Sequence, residues 1–111
     1  MLQVRNAGVN VSKITDSARG KACTMQWPGY SHDSATVVHC HFPIAGMTSG
    51  KSYKSGDAWG ARLCYDCHRL ADGRDLTHQE RYIDPDLIRG EFAVAVLYTQ
   101  AQLFKEGLLG E

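Results

Sequence analysis

The sequence predicts a small α+β domain in which a strand and a cysteine-bearing short helix gather ligands for a metal, with a long C-terminal helix packed against them. Three observations carry this. "ATVVHCHF" (Ala35–Phe42) is the most β-branched run in the chain, "CYDC" (Cys64–Cys67) sets two cysteines at metal-ligand spacing, and Asp84-Pro85 opens an apolar stretch of helical period. A length of 111 residues suits one domain with a modest core, for which a bound metal would act as a staple. With 43% apolar and 22% charged residues, the composition excludes disordered, collagen-like and coiled-coil chains.

Residues 1–20 read as a polar N-terminal arm with one short helical turn around Lys13–Ala18. "CTMQWPGY" (Cys23–Tyr30) combines β-formers with a Pro-Gly turn, and the strand Ala35–Phe42 follows, stopping at Pro43. Ile44–Asp57 is rich in Gly, Ser and Lys without periodicity, hence a loop. "DAWGARL" (Asp57–Leu63) fits either a second strand or a helical turn, and Cys67–Asp72 fits a short helix stopped by Gly73. In residues 84–107, Asp84 is the N-cap and Pro85 the first helical residue, and Ile88, Phe92, Ala95, Val96 and Leu103 form an apolar stripe. Leu87, Val94, Leu97 and Tyr98 widen that stripe, so much of the helix is expected to be buried.

The opening twenty residues hold no apolar core of signal-peptide length, and no run is long enough to span a bilayer, so the expected location is cytoplasmic, away from membrane. This context matters for the C-x-x-C-H at Cys64, Cys67 and His68, which fits haem attachment, a redox dithiol or half of a zinc site. Covalent haem attachment normally follows export, and a thioredoxin-type dithiol opens a helix within a βαβ unit that this sequence lacks. Eight of the nine cysteines and histidines fall between positions 23 and 68. A tetrahedral zinc site of Cys23, His32, Cys64 and Cys67 is therefore expected, set against the plainer reading of Cys23 as a small hydrophobe and His32 as a loop residue.

A strand places His39 and His41 on one face and Cys40 on the other. His68 and Asp72, at i and i+4, share a helical face and can hold a second divalent cation, although surface pairs of this kind are common. Residues 1–83 carry ten Lys/Arg against seven Asp/Glu, while 84–111 carry two against five. The cysteine-rich part is mildly basic and would suit a polyanion.

Together, "ARGKACTMQWPG", "ATVVHCHF" and "GDAWGARLCYDCHRLADGR" resemble the HNH, or ββα-metal, endonuclease superfamily, and more closely a family of short phage and prophage proteins predicted to be nucleases. The resemblance covers Ala18–Arg74. It implies a single HNH-like domain with a zinc and ββα-metal core at 21–75. It also implies His41 as general base, and His68 and Asp72 as ligands of a catalytic Mg²⁺, Mn²⁺ or Zn²⁺. Cys40 replaces the acidic or histidine ligand usual before the base, leaving His39 as candidate third ligand, and His32 stands in for a missing second cysteine. Lys51, Lys54, Arg62, Arg69 and Arg74 would hold phosphates of the nucleic acid, most simply DNA. A homodimer through the C-terminal helix is a further expectation, and a zinc-stabilised binding module without cleavage is the competing one.

Overall fold

The structure, a computed structural model, describes residues 13–43 and 57–109. A short helix, α1 (residues 13–17), leads to an irregular segment and then to β1 (Val38–His41). After the loop comes β2 (Gly60–Leu63), followed directly by α2 (Tyr65–Asp72) and finally by α3 (Pro85–Lys105). The two strands pair antiparallel, with Val38 opposite Leu63, His39 opposite Arg62, Cys40 opposite Ala61 and His41 opposite Gly60. Directly paired residues share a face, so His39, His41, Gly60 and Arg62 lie on one side of the sheet and Cys40, Ala61 and Leu63 on the other.

The first strand is shorter than the sequence suggests. Asp33 caps a 3₁₀ turn at Ser34–Thr36, its Oδ1 accepting from Ala35 N at 3.0 Å, and this local bond outcompetes extension of the strand. In "DAWGARL" both alternatives occur in sequence, a 3₁₀ turn at Asp57–Trp59 and then β2. Helix α2 starts two residues earlier than expected because extended Cys64 serves as its N-cap, and it ends where Gly73 takes a left-handed φ of 70°. The α3 cap is as the sequence indicates, with Asp84 Oδ1 accepting from Asp86 N at 2.9 Å and Pro85 in the first turn.

The core joins all these elements. Ala18, Cys23 and Val37 pack with Leu63 and Leu70, and Phe42 meets Phe92 of α3 edge-to-face at 4.9 Å. Such a ring pair adds about 0.5–1.5 kcal/mol beyond its buried area. The end of the N-terminal arm belongs to this core, since Ile14 and Ala18 are buried. One face of α3 is buried through Phe92, Ala95, Val96, Thr99 and Leu103. Leu87, Val94, Leu97 and Tyr98, expected to widen the buried stripe, are exposed instead, because β2 and the Cys-rich segment cover only one side of the helix.

Thr99 projects from α3 onto the outer edge of β2. Its Oγ1 accepts from Arg62 N at 3.0 Å and lies 3.0 Å from Thr24 Oγ1, while Thr24 N donates to Arg62 O at 2.7 Å. A helix hydroxyl and one loop amide thus satisfy the backbone groups that a third strand would otherwise take. Among the described residues, no helix is long and apolar enough to cross a membrane.

Candidate metal centre and histidine site

Cys23 follows the first turn of the chain, Cys64 caps α2 and Cys67 lies in its first turn, and their three sulfurs fall within 4.8 Å of one another. All three are buried and free of disulfides. Backbone amides are turned toward them: Gln26 N donates to Cys23 Sγ at 3.3 Å and Trp27 N to Cys67 Sγ at 3.4 Å. This needs the chain to double back at Gln26, whose φ is 47°. The Cys67 thiol, hydrogen-bonded to Cys23, draws the latter down to about 5, while Cys67 itself is pushed up by sharing that bond and by burial. The shared bond favours a thiolate at Cys23 over one at Cys67. A dication would bring the others to the same state, and three buried soft donors fit zinc.

The fourth expected ligand is not among them. His32 stands outside the three-sulfur group, and its Nε2 is hydrogen-bonded to the Trp27 carbonyl at 2.7 Å. Residues 1–12 and 44–56 contain no Cys, His, Asp or Glu, so the undescribed segments offer no substitute other than Glu111. Cys40 is buried on the sheet face opposite His41, its thiol pushed up to about 12 by burial and, next, by the charge of Asp72. It behaves as a small apolar residue.

The second group comprises His39, His41 and Asp57, again with ligand atoms within 4.8 Å. His41 Nε2 lies 2.6 Å from Asp57 Oδ1, and His39 Nε2 donates to the Asp57 carbonyl oxygen at 2.8 Å. The His41 side chain is 49% exposed against 4% for Asp57, so a buried carboxylate anchors an accessible imidazole. Burial lowers the pKa of His39 and keeps it neutral. Its ring lies across Gly60, where a Cβ would come within 2.3 Å of Nε2, so only glycine leaves the ring its place. Sequence reasoning missed Asp57. The available signal was that it is the sole acidic residue between Asp33 and Asp66.

His68 and Asp72 form their own pair on α2, Nε2 to Oδ2 at 3.1 Å, and Arg74 Nε donates to the same Oδ2 at 3.1 Å. Neither joins the group around His41. The charge of Asp72 acts on Cys40, on the opposite side of the strand from His41. The structure therefore gathers His39 and His41 with Asp57 and leaves His68 and Asp72 together elsewhere.

Two of the expected phosphate contacts are corrected. Arg62 is 1% exposed, with its guanidinium bound to Glu106 at 2.6 and 2.9 Å, to Gln102 at 2.8 Å and to Ser17 at 3.0 Å. Arg69 is likewise buried, clamped to Glu80 at 2.6 and 2.9 Å with Asp66 beside it, and Tyr30 Oη donates to Glu80 at 2.6 Å. Both cations are neutralised inside the protein and present no charge to a polyanion. Arg74 is exposed, and Lys51 and Lys54 lie outside the described residues.

Among curated proteins, none matches this sequence. A solved structure titled "Structure of a putative bacteriophage protein from Escherichia coli str. K-12 substr. MG1655" has the same fold. Its TM-score is 0.63 at 24% identity, covering 84% of this chain and 98% of that one. The order of strand, loop, strand and helix, with cysteines at the start of the helix, belongs to a unit that a family model describes as "Putative nuclease YbcO". That model matches residues 12–108, and the chain is a member of the YbcO family.

Proposed function

We propose that this protein is a metal-dependent endonuclease of HNH type that hydrolyses phosphodiester bonds in DNA and serves a phage or prophage. The observation that carries the reading is the 2.6 Å contact between half-exposed His41 and buried Asp57, within a chain of a family described as nuclease. The β1, loop, β2, α2 order supports the HNH assignment, and the bacteriophage protein of similar fold supports the phage setting.

Chemically, Asp57 fixes the His41 tautomer. With Nε2–H donated to Oδ1, the Nδ1 lone pair is the one left to take a proton from water attacking phosphorus. The buried carboxylate also stabilises the imidazolium that results. His68 and Asp72, a separate pair on α2, would hold a divalent ion there, and its Lewis-acid help to the leaving oxygen requires one phosphate to reach both that ion and His41. Arg74, with Lys51 and Lys54, would hold flanking phosphates. Cys23, Cys64 and Cys67 would bind zinc for structure.

Supercoiled plasmid incubated with the purified protein and Mg²⁺ or Mn²⁺ tests this. Nicking or linearisation is expected, with a loss of about 10²–10⁴ in rate for His41→Ala. Cleavage that survives His41→Ala would end the base assignment. Binding of DNA without cleavage under any metal would instead identify a zinc-stabilised binding module.

A further inference from the structure

The sheet face bearing His41 holds more than a base and its anchor. Asp57 is 3% exposed, and its Oδ2 has no hydrogen-bond partner among the described residues. The Nδ1 of His39, equally buried, also lacks one. With Nε2 committed to the Asp57 carbonyl, Nδ1 of neutral His39 carries a lone pair. Two acceptor atoms, one on a carboxylate, are thus withdrawn from water with no hydrogen bond from the described residues to offset the cost.

We propose that His39, His41 and Asp57 form a metal site of their own, distinct from the three thiols and from the His68–Asp72 pair, that takes a late first-row divalent ion such as Zn²⁺ or Co²⁺. Two imidazoles and one carboxylate are the donor set these ions favour when no thiolate is present. Ligand bonds of about 2.0–2.2 Å place donor atoms roughly 3–3.6 Å apart, and one ligand-type atom from each of the three residues already lies within 4.8 Å of the other two. Exposed His41 provides the way in, and Gly60 gives the His39 ring its position. The inference rests on reading this face as the reactive centre and deepens it. An ion bound to His41 removes it as a proton acceptor, so loading this site blocks base catalysis while Mg²⁺, which prefers oxygen ligands, leaves it open.

Cobalt titration of protein already carrying zinc on its thiols tests the proposal. A second equivalent is expected to bind with weak visible d–d bands and no thiolate-to-cobalt charge transfer. Asp57→Asn and His39→Gln should each weaken it at least about tenfold, while His68→Ala and Asp72→Asn leave it unchanged. Zinc stoichiometry at the thiols reports folding of each variant, and His41→Gln, at the exposed member, replaces any variant that fails that check. Cobalt binding in which no equivalent is weakened by Asp57→Asn, His39→Gln or His41→Gln overturns the site, whatever else binds at His68 and Asp72. The readout needs no activity: cobalt bound as expected by a protein that never cleaves DNA refutes the nuclease reading and leaves the metal site standing.

Discussion

The thiol cluster and the histidine site are built from similar numbers of ligand-type residues and differ in almost everything else. All three sulfurs are buried, two receive backbone amides, and the group ties the Cys23 segment to the start of α2. The histidine site is half open, with one imidazole in solvent and a buried carboxylate oxygen that has no hydrogen-bond partner among the described residues. A closed set of soft donors stabilises the fold, whereas an open set of harder donors with an unmet valence is suited to chemistry.

The largest effect should come from breaking the first. Structural zinc in small domains contributes on the order of 10 kcal/mol to folding. Cys67→Ser, or chelation, is therefore expected to abolish the cooperative thermal transition seen by circular dichroism. Under the same measurement Asp57→Asn should still melt cooperatively, and equal collapse of both proteins would erase the distinction. The basic residues divide in the same way. Arg69→Ala leaves Glu80 buried without its cation, a loss of about 3–5 kcal/mol in urea denaturation, whereas Arg74→Ala should change stability by less than about 1 kcal/mol and, on the proposed nuclease reading, weaken DNA binding in a salt-dependent manner.

A smaller effect is expected from pH. Glu106 is held down to about 2, chiefly by its hydrogen bonds from Arg62, against roughly 4.3 for an unfolded glutamate. Its contribution is complete above the unfolded value and fades as pH falls from about 4.3 toward 2. Denaturation followed across that window should show a shallower acid decline for Glu106→Gln than for the parent. Smallest of all, Leu97→Lys on the exposed face of α3 should leave monomer stability within about 0.5 kcal/mol. If that face joins two copies, light scattering will show the variant at half the parent's mass.

What could be read in advance was local. Asp84-Pro85 announces α3 because capping depends on neighbours in sequence, and C-x-x-C announces a ligand pair because one helical turn brings both thiols to one ion. What escaped depends on contacts between distant residues. Arg62 reads as a surface cation until Glu106, far along the chain, is found beside it. Asp57 reads as a loop residue until β1 and β2 pair and bring it under His41. The exposed side of α3 was misjudged because apolar residues occur on both its faces, and only packing against β2 decides which is covered.

The Thr99 hydroxyl on the outer edge of β2 has a consequence for how the protein survives at high concentration. A two-stranded sheet offers two rows of unpaired amides and carbonyls, each a template for a strand from another molecule. By occupying Arg62 N from a helix side chain, Thr99 together with Thr24 plugs one of those rows with groups that cannot propagate. Replacing the hydroxyl with the methyl of valine keeps the shape and removes the plug. The buried Arg62 amide then loses its acceptor, at a cost of about 1–3 kcal/mol to the native fold, and the reopened edge invites strand-to-strand self-association.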